Sequence, residues 1–256
     1  MNYKKLTFVA NWKMNLTSAA ATELYKNNSD SFDALATKHD ATIIACPPFT
    51  ALTPLAAALK TSPLHLGAQN CSIHNPGAYT GEISAQDLAE IGSAYCIIGH
   101  SERRTLLHET DIDIAIKTEQ LLAHNITPII CIGETQEEYD NGKTEEKLRT
   151  QLRLVFNIIK RYSDKKIYIA YEPLWAIGAH TTPDKNYLEK IFKWLIIFCD
   201  DNNTGNNNTF FFLYGGSVNE ETITTLRTII DIEGFLIGSA SLDFQKFEKI
   251  VSLAYI

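Results

Sequence analysis

Along this chain the apolar residues do not alternate with polar ones; they gather into short unbroken runs. Eight runs are rich in β-branched, aromatic or aliphatic residues: LTFVAN (6–11), ATIIAC (41–46), LHLGA (64–68), YCIIG (95–99), TPIICI (127–132), IYIAYE (167–172), FFFLYG (210–215) and GFLIG (234–238). A strand with one wet face must alternate. A strand buried on both faces need not, and parallel sheets covered on both sides are built of such strands. Between the runs, apolar residues recur near helical spacing, as in DIDIAIKTEQLLAHN (111–125), KLRTQLRLVFNIIKRY (147–162) and NYLEKIFKWLIIFCDD (186–201). Strand followed by helix, eight times over, predicts a closed (β/α)8 TIM barrel, an α/β fold spanning 1–256 as a single domain. An open doubly wound sheet shares the alternation, but its G-x-G-x-x-G phosphate turn is absent. No stretch reads as an interdomain linker, and DDNNTGNNNT (200–209) reads as a polar surface loop without chemistry.

Composition narrows the partners. The chain has 256 residues, 45% of them hydrophobic and 21% charged, enough to bury a sizeable core. Its net charge of −7, with no strongly basic cluster, argues against nucleic acid as a partner. The same field repels anions, so attraction to an anionic substrate has to be local. Cysteines 46, 71, 96, 131 and 199 form no C-x-x-C pair, and several sit inside apolar runs. They are expected to be reduced, buried thiols of a cytoplasmic protein. The apolar stretch near residue 8 is too short for a signal sequence or a membrane span.

In a closed parallel barrel the carboxyl ends of the strands build the active site. The first run ends at Asn11 and Lys13, the fourth at His100, Ser101 and Glu102, the fifth at Glu134 and the sixth at Glu172. The last two end in the glycine-rich turns YGGS and IGSAS. Gly99 allows a tight exit from the fourth strand. One rim thus gathers an imidazole, carboxylates, an ammonium group and turns whose backbone can approach an anion.

Six segments carry a resemblance: NWKMN (11–15), GAYTGEISA (77–85), IIGHSERR (97–104), CIGE (131–134), YEPLWAIG (171–178) and YGGSVN (214–219). Together, in this order and between Phe8 and Leu242, they resemble the triosephosphate isomerases. The resemblance implies a cofactor-free, metal-free homodimer that interconverts dihydroxyacetone phosphate and D-glyceraldehyde 3-phosphate through an enediolate. It implies Glu172 as the base that takes a proton from carbon. It implies His100 as the electrophile, its ring kept neutral by the positive potential of a helix start. Lys13 balances negative charge, Asn11 donates a neighbouring hydrogen bond, and Glu102 lies close to the lysine. Backbone N–H groups at Gly178, Ser217, Gly238 and Ser239 are implied to hold the phosphate. Pro173, Trp175, Ala176, Ile177 and Gly178 form the lid, with Glu134 as its open-state partner and Tyr214 as its closed-state partner. Thr80 reaches the neighbouring subunit's site, and Glu82, Arg103 and Glu109 organise the rim and the dimer contact.

Two departures stand out. Ser239 replaces the usual second glycine, and its N–H can donate only if the backbone there suits a residue with a Cβ. The lid's second half reads Ala179-His180-Thr181-Thr182-Pro183 where the family has T-G-K, and it is about two residues shorter. Because such lids exclude water and protect the enediolate, closure is expected to use an altered second hinge. Another cofactor-free phosphosugar isomerase or epimerase barrel would share the phosphate turns, but has no reason for NWK, GHSERR and EPLWAIG together. A non-catalytic phosphosugar-binding module has no use for a base at Glu172.

Overall fold

A computed structural model describes residues 4–177 and 182–256 of the chain. The eight runs form eight parallel strands: β1 (Thr7–Asn11), β2 (Thr42–Cys46), β3 (His65–Ala68), β4 (Tyr95–Ile98), β5 (Thr127–Ile132), β6 (Lys166–Tyr171), β7 (Thr209–Tyr214) and β8 (Gly234–Ile237). Each pairs with the next, and β8 closes on β1 with Thr7 opposite Gly234. Closure rules out the open doubly wound sheet, since no strand is left at an edge.

Two cores explain the unbroken apolar runs. Val9, Ile44, Ile97, Ile129, Cys131, Ala170, Leu213 and Leu236 pack together inside the ring. Their neighbours Phe8, Ala10, Ile43, Ile98, Ile130, Ile169 and Phe235 face outward against the helices. Successive strand residues point to opposite faces, and here both faces are dry. The amino end of the ring is filled by rings: Tyr95 meets Tyr168 edge-on at 5.8 Å, and Tyr168 stacks on Phe211 at 4.7 Å.

The three helices read from periodicity are present as Asp111–Ala123, Thr144–Ile159 and Lys185–Asn202. The first begins with a reciprocal cap, Thr110 and Asp113 each binding the other's backbone N–H. The stretch 200–209 is a loop only in part. The preceding helix runs through Asn202 and β7 starts at Thr209. Within the loop, Asn208 accepts from the N–H of Lys165 at 2.9 Å and donates to the carbonyl of Tyr162 at 3.0 Å. Its asparagines therefore tie backbone together, as short amide side chains do in turns. All five cysteines are free and buried, as expected. Burial pushes the thiols of Cys46, Cys96, Cys131 and Cys199 up.

Candidate active site

Strand period and site are one fact. Val9 and Ala170 point into the barrel, so the residues two further on, Asn11 and Glu172, continue the same inward set above the last apolar layer. The same step leads from Leu213 to Gly215 and from Leu236 to Gly238. All four residues line one cavity of about 660 Å³ at the carboxyl ends of the strands. Lys13, His100, Glu102, Ile177, Ser217 and Ser239 line it too. A groove of about 710 Å³ lies outside the barrel, between the helices Phe49–Ala58 and Ala85–Ile91. Its ionisable residues, Lys60, His65, Asp87 and Glu90, form no ion pair with one another. The inner cavity gathers the candidate residues.

Gly99 ends β4 at φ +67°, and a Cβ there would stand 2.8 Å from Ile114 Cδ1. The tight exit sends His100 over the mouth as the residue capping the helix Ser101–Leu106. His100 Nδ1 accepts from the N–H of Glu102 at 3.3 Å. That bond requires Nδ1 without a proton, so the neutral ring carries its hydrogen on Nε2. Glu102 Oε2, at 3.6 Å from the same nitrogen, is beyond hydrogen-bond reach. Nε2 faces Glu172 Oε1 at 3.3 Å. Glu172 is 2% exposed, and its Oε2 accepts from the N–H of Ser101 at 3.0 Å.

Lys13 sits in the left-handed region, φ 51°, which is strained for a residue with a Cβ. Both of its peptide groups are held. Asn11 Oδ1 accepts from its N–H at 3.1 Å, and Gln69 Nε2 donates to its carbonyl at 2.8 Å. Gln69 also donates to the Cys46 carbonyl at 2.9 Å, locking the first rim turn to the second. The Lys13 ammonium group pairs with Glu102 at 2.5 Å, and a Cβ on Gly238 would lie 3.7 Å from it. Gln69 escaped the sequence reading. Its one signal is position, the residue after β3, where the other strands place their polar groups.

The Ser239 question is answered by backbone geometry. Ser239 starts a 3₁₀ turn, Ser239–Leu242, and is not among the residues with positive φ, so its Cβ is accommodated. Ser217 Oγ donates to the Ala176 carbonyl at 2.9 Å, tying the YGGS turn to the segment after β6. The segment expected to form the lid begins with buried Pro173 and a 3₁₀ turn, Leu174–Ala176. Trp175 Nε1 donates to Glu134 Oε1 at 2.8 Å, and the same oxygen accepts from Tyr171 at 2.9 Å and Tyr187 at 3.0 Å. The Tyr214 hydroxyl is buried with no hydrogen-bond partner among the described residues. Trp175 is thus held by Glu134, while among the described residues nothing bonds to the Tyr214 hydroxyl. Gly178, with 179–181, lies outside the described residues, so the phosphate contact and second hinge placed there do too.

Glu109 receives Arg103 Nε at 3.2 Å and also the ammonium of Lys117, a buried lysine that in turn donates to Asn70 at 2.7 Å. Thr80 and Glu82 are exposed on the loop that leaves β3. His74 stacks on Tyr79 of this loop at 3.7 Å. Of the other histidines, His39 stacks on Tyr255 and His65 meets Tyr95 edge-on, both away from the cavity. His180 is not among the described residues.

Comparison with known proteins agrees with this architecture. The family model described as triosephosphate isomerase matches residues 6–254. A triosephosphate isomerase of Aquifex aeolicus is 40% identical over 242 residues, covering 94% of this chain and 96% of that protein. One from Nitrosococcus oceani is 39% identical over 246 residues, covering 96% and 97%. One from Buchnera aphidicola is 35% identical over 249 residues, covering 97% and 99%.

Proposed function

Because the chain belongs to the triosephosphate isomerase family, we propose that Lys13, His100 and Glu172 carry that family's reaction around one bound triose phosphate. The reaction interconverts dihydroxyacetone phosphate and D-glyceraldehyde 3-phosphate. In balance, one proton moves between two adjacent carbons and another between their oxygens. Glu172 takes the first proton from one carbon and returns it to the next. The His100 Nε2–H donates to the carbonyl oxygen as that oxygen gains charge, and the ring passes the second proton between the two oxygens. The Lys13 ammonium group balances the enediolate and the phosphate, with Asn11 beside it and Glu102 fixing its direction. Backbone N–H groups of Ser217, Gly238 and Ser239 take the phosphate, with Gly178 as a fourth donor from the lid. None of these steps calls for a metal or an organic cofactor.

The observation that carries this reading is convergence. Groups from residues 13, 100 and 172 line a single cavity, with base and imidazole 3.3 Å apart. The lid at 173–183 closes by exchanging the Trp175–Glu134 bond for contacts that include the unpaired Tyr214 hydroxyl. Thr80 completes the site of a second copy, so the active form is a homodimer, working in the cytoplasm. A coupled assay with either triose phosphate tests the reaction. Glu172→Ala is expected to remove nearly all turnover while leaving inorganic phosphate binding within about threefold, because the phosphate turns lie on other strands. A native protein that fails to isomerise, or a Glu172→Ala variant with native turnover, overturns the reading. Methylglyoxal as a major product would overturn the competent lid, and a fully active monomer by sedimentation would overturn the shared site.

A further inference from the structure

The cavity wall carries a second lysine that the mechanism above does not use. Lys246 lies in the first turn of the helix Phe244–Leu253 and lines the cavity beside Gly238, Ser239 and Ala240. Its backbone N–H is fixed by Asp243 Oδ1 at 3.2 Å, so its starting point is set. Its side chain is exposed, and among the described residues no carboxylate lies within 4.0 Å of its ammonium group. Lys13, by contrast, already faces Glu102 at 2.5 Å.

Charge shows why this matters. Two ammonium groups, Lys13 and Lys246, and two carboxylates, Glu102 and Glu172, line the cavity. With His100 neutral, the described lining sums to zero, and without Lys246 it is negative. The whole chain carries −7. Among the described residues, a dianion arriving from water therefore meets one unpaired cation at the mouth, and it stands at the edge of the Gly238–Ser239 turn.

We propose that Lys246 binds and attracts the phosphate group of the triose phosphate, supplying the local positive charge that the chain's overall field denies. The inference rests on the isomerase reading and deepens it. A charge on the phosphate side acts alike on bound substrate and transition state, so its effect falls on KM and on encounter, not on kcat. A dianion held about 8 Å from an ammonium group in water gains roughly a fivefold affinity. The gain fades as salt shortens the Debye length to about 3 Å near 1 M.

The test compares native enzyme with Lys246→Gln, Lys246→Glu and Lys246→Arg across ionic strength. It uses a triose phosphate, the uncharged substrate D-glyceraldehyde, and inorganic phosphate binding by calorimetry. Lys246→Gln is expected to lower kcat/KM for the triose phosphate about fivefold at low salt, through KM. Phosphate affinity should fall by a similar factor, Lys246→Glu should fall further, and Lys246→Arg should stay near native. Turnover of D-glyceraldehyde should not change, and the gap between variants should close near 1 M salt. A Lys246→Gln enzyme that keeps native phosphate affinity and KM at low salt overturns the proposal. So does an equal loss on D-glyceraldehyde, which would mark a structural role. A native chain with no isomerase activity would sink the functional reading itself, and the phosphate titration would still decide the lysine.

Discussion

Gly215 sets how much room Glu172, the proposed base, has, and replacing it with alanine measures the tolerance of the site. A Cβ built at Gly215 stands 2.8 Å from Glu172 Cγ and 3.4 Å from its Oε1. Ordinary contact begins at 3.4 Å, so the carboxylate arm must retreat by about 0.6 Å. The backbone cannot retreat instead, because the Gly215 N–H donates to the Tyr171 carbonyl at 2.8 Å. Nor does alanine strain the chain there, since Gly215 is not among the glycines with positive φ. The shift therefore falls on Glu172, away from the positions set by the Ser101 N–H and by His100 Nε2. Catalytic groups tolerate displacements of roughly 0.5 Å, and about 1 Å costs on the order of a hundredfold. Gly215→Ala should lower kcat by about ten- to a hundredfold, or ~1.4–2.7 kcal/mol in the barrier, with KM within about threefold. Overpacking should cost ~1–3 kcal/mol of stability, which leaves a folded protein. Steady-state kinetics in both directions, alongside urea unfolding, separates the two effects. A folded Gly215→Ala enzyme with kcat within twofold of native would refute the claim that this gap positions the base.

The other predictions concern the lid anchor and buried tyrosines. Glu134→Leu leaves the Trp175 indole N–H and two tyrosine hydroxyls without their shared acceptor, so unfolding free energy should fall by about 3 kcal/mol. A urea-measured loss below about 1 kcal/mol would show that the anchor is not holding this end of the lid. Burial, followed by the nearby Glu134 charge, raises the Tyr171 hydroxyl well above its ordinary value, and burial alone raises Tyr214. Their protonated forms are favoured in the folded state, so the folded chain binds more protons than the unfolded chain above about pH 10. The tyrosines' share of stability should be constant below that pH and fall above it by up to ~1.4 kcal/mol per tyrosine per pH unit, adding to the fall that the raised thiols of Cys46, Cys96, Cys131 and Cys199 begin near about pH 8.5. Urea midpoints that stay level from pH 9 to pH 11 would contradict this.

The strands were legible because both of their faces are dry: a run such as ATIIAC carries no polar residue beyond Thr42 at its start, and its edges fell within a residue of β2. Helix ends were less legible where the first turn is polar. The helix read from Lys147 begins at Thr144, because Glu145 and Glu146 in its first turn offer dipole-matched charge rather than apolar spacing. The site was legible at the inward positions that follow the last apolar layer, and through the motifs that carry the family. Residues acting through the backbone of others were not. Gln69 is visible only when the left-handed Lys13 peptide it braces is known, and the value of Gly215 is a distance to a carboxylate forty-three positions earlier. Lys246 is harder still, since a lysine at the start of an amphipathic helix is the commonest of surface features. What separates it from the chain's other lysines is the company it keeps: a glycine-serine turn on the same wall, no carboxylate within 4.0 Å among the described residues, and a second lysine already neutralised by Glu102. Charge complementarity in this barrel is thus a property of the closed ring. It arises only when β8 returns to β1 and brings residue 246 to the mouth that residue 13 begins.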